Sequence, residues 1–338
     1  MKQPVRGKRD LVTNSGPAEA PPEEVAFVVI AYNEASGVKQ CLRSIAAQEG
    51  LFNFEIVVVD DCSNDATPSV LAQLGEEIPK LRVVRQPANL GRGAARAAGV
   101  RAARGEFIAM VDADIVLPPD WLLRCLAGIA GSEVVSGIAV PGGDVGYLAR
   151  RFGLEPKVVP STTPTTGNNA LFRRVVFSRV AYEEDLREGE DVALDHQMDA
   201  AGVVREVIPG LRVEHRENKT FSRELRWLFE SGLGASRELE RYRRVRGPDV
   251  AFGVMLLSCA VSCFASRRQA GRLLAPLVCL TVIAVAHVAT RFQSRRAPLR
   301  YLGAVAADSA LLCSYFAGRL VGHIRLRFDD ARSEQQQH

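Results

Sequence analysis

Two aspartates, Asp112 and Asp114, stand one alanine apart at the end of the apolar run Phe107-Ile-Ala-Met-Val-Asp112. Carboxylates at i and i+2 where a strand turns can both reach one hard cation. Mg2+ or Mn2+ takes oxygen ligands and keeps positions open for phosphate oxygens. The chemistry this permits is neutralisation of a departing diphosphate. An acidic pair at a strand end is also an ordinary turn, so its weight depends on its setting. A second acidic strand end, Asp60-Asp61, is followed by Ser63 and Asp65. A carboxylate here suits the imide N–H of uracil or an amino group of guanine, whereas Asp65 also reads as a helix cap. The third candidate is Asn89-Leu-Gly91-Arg-Gly93-Ala-Ala-Arg96-Ala-Ala-Gly99. Its small residues let backbone approach a ligand closely, and Arg92 or Arg96 suits a diphosphate. It is not a dinucleotide-binding loop: it follows the third strand, and Arg96 stands where the third glycine belongs.

The elements that must position these residues are legible around them. Val25-Ala-Phe-Val-Val-Ile-Ala31 and Glu55-Ile-Val-Val-Val-Asp60 are short β-branched apolar runs, the pattern of strands buried on both faces. Between them Val38, Leu42 and Ile45 recur at helical spacing. Pro68 to Leu74 reads as a helix, Leu81 to Arg85 as a short strand, and Phe107 to Asp112 as a fourth strand. Strands alternating with helices predict an α/β fold with a mostly parallel sheet flanked by helices. Ligands bind such sheets at the carboxyl ends of the strands, where Asp60 and Asp112 lie. Farther on, Val134 to Val140, Val203 to Val207 and Leu211 to Val213 read as strands. Thr162 to Asn169 reads as a loop and Leu186 to Ala200 as a helix.

The last third differs in character. Phe221 to Arg246 is amphipathic and basic. Val250 to Ala265, Leu273 to Thr290 and Tyr301 to Gly318 are apolar, with arginines between them. These lengths are at the short end for crossing a bilayer. They predict two to three membrane-embedded helices over 249–322, preceded by an interfacial helix over 221–248 and followed by a polar tail over 323–338. Both loops are basic, so the excess of positive charge on the cytoplasmic side leaves the topology open. Residues 1–24 are polar, carry Pro17, Pro21 and Pro22, lack the apolar stretch of a signal peptide, and predict a disordered tail. The expected location is the cell membrane, multi-pass, with the catalytic part cytoplasmic. A net charge of +4 is too small to argue for nucleic acid. Seven cysteines without a C-x-x-C pair predict packing thiols rather than a disulfide framework or zinc site.

Taken in order, these residues resemble family 2 glycosyltransferases with the GT-A fold. The resemblance is carried by Val29-Ile-Ala-Tyr-Asn33-Glu34, Val58-Val-Asp60-Asp61-Cys-Ser63-Asn-Asp65, Asn89-Leu-Gly91 with Arg96 and Gly99, and Gly105-Glu-Phe-Ile-Ala-Met-Val-Asp112-Ala-Asp114. It is dense from Val25 to Trp121 and sparser to Gly234. Gly167-Asn168-Asn169 resembles the family's acceptor-side segment, and Gly189-Glu190-Asp191 its G-E-D motif. Arg226-Trp227 matches the end of the Q-x-x-R-W motif of processive members. Arg223 replaces the glutamine, which tells against a polymer synthase.

The resemblance implies a GT-A catalytic domain over 25–220. Its nucleotide-sugar site would be drawn from Asn33, Glu34, Asp60, Asp61, Gly91, Arg96 and Asp112. Metal ligands would come from Asp112, Asp114 and His215, with Mg2+ or Mn2+ as cofactor. Asp191 becomes the expected general base, with Glu190 beside it. Gly167, Asn168, Asn169, Arg226 and Trp227 fall on the acceptor side. The implied reaction is inverting transfer of a sugar from a nucleoside diphosphate, UDP ahead of GDP. The acceptor is a hydroxyl of a lipid-linked saccharide or glycolipid at the membrane. Two other readings stay open: a synthase loading a sugar onto polyprenyl phosphate, and a catalytically idle membrane scaffold.

Overall fold

The computed structural model of the 338-residue chain describes residues 24–50, 52–141, 147–156, 167–216, 220–265, 269–293 and 298–336. The first half alternates as expected. Strand β1 (Val25–Ala31) leads to helix α1 (Val38–Ala46), β2 (Phe54–Asp60) to α2 (Thr67–Glu77), and β3 (Leu81–Arg85) to α3 (Arg92–Ala102). After β4 (Phe107–Asp112) come β5 (Ile115–Val116), α4 (Trp121–Gly128), β6 (Val134–Pro141), α5 (Tyr147–Phe152), β7 (Glu155–Pro156) and β8 (Asn169–Arg173). The remainder runs α6 (Glu190–Ala200), β9 (Arg205–His215), α7 (Phe221–Tyr242), α8 (Gly247–Ala265), α9 (Gln269–Arg291), β10 (Phe292–Gln293) and α10 (Pro298–Gln336).

One sheet of eight strands, in the order β3-β2-β1-β4-β8-β6-β9-β5, carries the fold. Strands β3, β2, β1 and β4 are mutually parallel. The sheet then becomes mixed: β8 runs antiparallel to both β4 and β6, and β5 antiparallel to β9. β1 and β2 are buried along nearly their whole length because helices cover both faces. Val38, Cys41, Leu42 and Ile45 of α1 fill one face. The alanines of α3 allow a close approach on the other, where a Cβ on Gly99 would lie 2.2 Å from Val28 Cγ1.

Several expected boundaries move. The helix predicted from Leu186 starts at Glu190, because Gly189 adopts φ +83° and breaks the run before it. The two short strands expected at 203–207 and 211–213 are one strand, β9, bent at Gly210 (φ +71°) and with its register against β6 shifted between Ser136 and Ile138. Asn169, expected in a loop, already pairs with Val111, while 162–166 and the tail over 1–23 lie outside the described residues. The polar tail expected over 323–338 continues α10 as far as Gln336, since its arginines, glutamate and glutamines are good helix formers.

The C-terminal helices form their own core. Ala235, Ala284, Val288, Ala304, Val305, Leu312, Tyr315 and Phe316 are buried together. Helices α7 and α10 cross closely through glycines: a Cβ on Gly232 would stand 2.2 Å from Tyr315 O, and one on Gly318 2.0 Å from Phe229 O. Among the described residues one helix, Arg300–Leu326, is long and apolar enough by itself to cross a membrane. Helices α7 and α8 pass that test only as a pair bent by 97°. The multi-pass expectation is therefore not supported. Pro276 interrupts α9, leaving a shorter apolar helix from Pro276 to Arg291.

Candidate active site

A crevice of about 550 Å³ opens at the carboxyl ends of β1, β2 and β4, where a sheet of this kind binds ligands. Its wall includes Asn33, Glu34, Asp61, Gly91, Asp112, Asp114, Arg226 and Trp227 from the expected site. Each is fixed by local structure. Asn33 turns the chain after β1 at φ +55°, and its N–H donates to Ser63 Oγ at 2.9 Å. Its Oδ1 accepts from Asn64 N, while Glu34 N–H donates to Thr67 Oγ1. Two strand-end loops are thereby stapled into one rim. Asp61 accepts from the backbone N–H groups of Leu90 and Gly91, both at 2.8 Å. Gly91 sits at φ +98°, and a Cβ there would come within 2.7 Å of Arg187 Cα, so a side chain is excluded. Burial pushes the Asp61 carboxyl up, against the pull of those two N–H groups.

Asp112 and Asp114 are brought out by the turn between β4 and β5. Pairing of Ile115 with His215 across β5 and β9 places the imidazole at Asp114, with Nε2 3.1 Å from Asp114 Oδ2. Beneath them the Cys41 thiol donates to Asp112 O at 3.4 Å. Burial first, then the charges of Asp114 and Asp112, raises this thiol well above its ordinary range, so it stays neutral packing. Among the described residues no three His, Cys, Asp or Glu side chains close into a metal cluster. The expected trio of Asp112, Asp114 and His215 is thus not a preformed cage, because Arg96 holds Asp112 Oδ1 and the imidazole hydrogen-bonds Asp114. The donor chemistry still fits a hard divalent ion. Two partly exposed carboxylates face a polar crevice, with the imidazole behind Asp114 and outside the crevice wall, and such ions take further oxygens from phosphate.

Four expected site residues turn away from the crevice. Asp60 is buried, accepting from Ser63 N at 2.9 Å and from Arg85 at 2.6 Å. It braces the β2 turn, and Asp61 is the carboxylate that faces the crevice. Arg96 is 2% exposed and bridges Asp112 Oδ1 (2.8 Å) and Glu190 Oε1 (2.9 Å). It positions both motifs and does not line the crevice. Glu190 is correspondingly a buried strut for Arg96. Asn169 is fully buried, accepting from Gly137 N and donating to Asn168 Oδ1, which makes it part of the β6–β8 scaffold. Gly167 and Asn168 lie close by: Asn168 O accepts from Asp112 N, and a Cβ on Gly167 would stand 3.3 Å from Asp191 Oδ2. Asp191, on the first turn of α6, therefore faces the rim on the Gly167 side, with Oδ1 accepting from Val192 N.

The crevice also recruits residues that sequence reasoning passed over. Glu188, Arg187 and Glu230 line it, and so does Arg223, whose Nη2 donates to Asn33 O at 3.0 Å. Arg92 pairs with Glu188 at 3.1 Å. Burial pushes the Glu188 carboxyl up to about 7, opposed by Arg92. Its only sequence signal was its place directly before the Gly189-Glu190-Asp191 run.

Residues 26–181, which supply most of this crevice, match the family described as glycosyl transferase family 2. The succinoglycan biosynthesis protein ExoO of Rhizobium meliloti is 38% identical over 195 residues, covering 51% of this chain and 54% of that protein. Dolichyl-phosphate beta-glucosyltransferase ALG5C of Trichomonas vaginalis is 40% identical over 102 residues, 28% of this chain and 30% of that protein. The chain thus spans about half or less of the length of these curated relatives. In fold it is similar to the mannosyltransferase PcManGT of Pyrobaculum calidifontis, solved with GDP-Man and Mn2+, with a TM-score of 0.53, 20% identity, and coverage of 92% of this chain and 91% of that one. It is through the segment that builds the crevice floor and its acidic strand ends that this chain matches glycosyl transferase family 2.

Proposed function

We propose that the protein transfers a sugar from a nucleoside diphosphate, UDP in preference to GDP, to a hydroxyl of a lipid-linked or glycolipid acceptor, with inversion. The observation that carries this reading is the convergence of Asp61, Asp112 and Asp114 on one crevice, ringed by Arg92, Arg187, Arg223 and Arg226. The Asp61 end takes the base and the arginines pair with the diphosphate. Mg2+ or Mn2+ held by Asp112 and Asp114, with His215 in support, would supply charge neutralisation at the leaving group. The archaeal mannosyltransferase of similar fold, solved with GDP-Man and Mn2+, supports a metal and a nucleotide sugar in this crevice. In the transfer the acceptor oxygen bonds to the anomeric carbon while the carbon–oxygen bond to the diphosphate breaks and its electron pair leaves with the diphosphate. Asp191 takes the hydroxyl proton. Trp227 offers an apolar face, and Arg226 a cation, to the acceptor side.

A membrane setting for this chemistry is supported by the C-terminal helices. Val254, Leu257 and Val261 of α8 and Leu277, Val278 and Val282 of α9 are all exposed, a larger apolar surface than a water-facing hairpin carries. The name of the Trichomonas relative, a dolichyl-phosphate glucosyltransferase, supports a lipid-borne acceptor.

Glu188 is a second reading for the base. It lines the crevice, which Asp191 does not, and its carboxyl is poised near neutral pH.

The test is to incubate the purified full chain in detergent with a panel of nucleotide sugars and lipid-linked acceptors and to identify the nucleotide released. UDP release that depends on acceptor and stops in Asp114→Asn is expected. Release of GDP alone would overturn the donor assignment, and full activity of Asp114→Asn in EDTA the metal role.

A further inference from the structure

A second cavity, of about 510 Å³, lies away from the crevice. Its wall is made by Arg150, Arg151, Phe152 and Gly153 at the end of α5 and by Arg300 in the first turn of α10. Three arginines line this space, and among the described residues its lining contains no carboxylate. The arrangement is built from both sides. Gly153 adopts φ +60°, and a Cβ there would sit 3.0 Å from Arg300 Nη1, so the turn lets that guanidinium come close. Phe152 wedges against α10 at Gly303, where a Cβ would stand 2.7 Å from its ring. The Arg151 guanidinium lies over that same ring at 5.6 Å. One step farther, β10 pairs with β7 through Phe292 and Pro156, tying the end of α9 to the α5 segment.

Position gives the cavity its meaning. Arg300 opens the one described helix that is long and apolar enough by itself to cross a membrane, Arg300–Leu326. Arg291, at the end of the neighbouring apolar helix, is exposed and directly precedes Phe292, which pairs with Pro156. The arginines therefore stand where that helix would leave the bilayer and meet the catalytic domain. Guanidinium groups bind phosphate oxygens in a bidentate fork, and basic side chains at this depth attract anionic headgroups. Helix α5 also links the cavity to the crevice. Tyr147 at its start packs on Phe221 with ring centroids 4.9 Å apart, and Phe221 begins the helix that carries Arg223, Arg226 and Trp227.

We propose that Arg150, Arg151 and Arg300 form a site for the phosphate of a membrane lipid, seating the catalytic domain on that headgroup. The inference rests on the membrane placement of the proposed function but on none of its chemistry. Occupancy would hold α5, and through Tyr147 the start of α7, against the acceptor side of the crevice.

The experiment measures equilibrium binding to the purified full chain in detergent micelles. The probes are dioctanoyl phosphatidic acid, dioctanoyl phosphatidylcholine and inorganic pyrophosphate. Phosphatidic acid should bind at least about tenfold tighter than either other probe, and Arg150→Gln/Arg151→Gln/Arg300→Gln should lose about tenfold or more of that affinity. Arg150→Lys/Arg151→Lys/Arg300→Lys should retain most of it. Arg43→Gln/Arg101→Gln/Arg179→Gln, an equal charge change elsewhere on the surface, should bind as the parent does. Unchanged affinity in the cavity variant, or equal loss in the surface variant, would overturn the site. Equal binding of pyrophosphate would overturn its lipid character. Should the glutamine variant fail to fold, the ranking of the three probes on the parent chain decides alone. Sugar transfer is not read at any point, so a failed donor assignment leaves this result standing.

Discussion

Arg96 does the most structural work of any single residue near the crevice. It is buried, holds Asp112 and Glu190 at once, and leaves Nη1 without a hydrogen-bond partner among the described residues. Removing it strands the Glu190 carboxylate in a buried site. Arg96→Met should therefore lower the unfolding free energy by about 3 kcal/mol or more, read by urea denaturation. A loss below about 1 kcal/mol would show that the bridge is not sustained in solution. Glu188 makes a prediction of a different kind. Its folded pKa, about 7, is raised by burial above the ordinary 4.5. A carboxyl shifted upward contributes stability fully below the unfolded value and loses it as pH rises through the folded one. Glu188→Gln should thus match the parent at pH 4 and exceed it at pH 8, by up to about 3 kcal/mol. The pH–activity profile separates the two candidate bases. If Glu188 is the base, activity rises through pH 7 and vanishes in Glu188→Gln. If Asp191 is the base, Glu188→Gln turns over while Asp191→Asn does not. Which of two adjacent carboxylates faces a ligand was not legible from sequence. The choice of Asp61 over Asp60 depends on Arg85 reaching in from β3, and the burial of Arg96 on Glu190, 94 residues away.

Elements were read more easily where one face decided them. β1, β2 and β4 are continuous apolar runs covered on both sides, and their bounds emerged within a residue. The antiparallel β8 was harder, because Asn169 to Arg173 follows a polar stretch and its burial comes from pairing with β4 and β6. Helix α7 was expected as a basic interfacial helix, but its small residues turn it into a hub. Gly232 meets α10, and Gly234 lies on the Glu188 backbone, where a Cβ would be 3.1 Å from the carbonyl oxygen. Glu238 pairs with Arg246 directly under Gly189. Gly232→Ala should force α7 and α10 apart. The expected readout is a lower melting temperature in detergent together with a raised KM for acceptor, since α7 carries Arg226 and Trp227. An unchanged melting temperature would mean that the close crossing is not maintained.

At the scale of the whole molecule, the described residues form three apolar clusters. Two lie on opposite faces of the sheet, and the third is made chiefly by α7 to α10. Apolar side chains are exposed over the outer faces of α8 and α9, while about half of the Arg300–Leu326 window is buried by its neighbours. The protein should therefore stay with the membrane pellet after an alkaline carbonate wash and enter solution only with detergent. Recovery in the aqueous wash would overturn the membrane setting. The sequence pattern identified these apolar stretches, but not that α7 and α8 would meet at 97° or that Pro276 would divide the next. Such bends arise from packing between helices and leave little trace in hydropathy.

The shared guanidinium of Arg96 also limits how far this domain can be treated as a set of exchangeable parts. The strand that ends in Asp112 and the helix that begins with Glu190 are anchored to the same planar group. A chimera that imports the 107–114 segment from a relative without residues 92–99 and 189–191 would inherit a mismatched joint. Recombination within this fold should succeed in triplets of segments rather than singly.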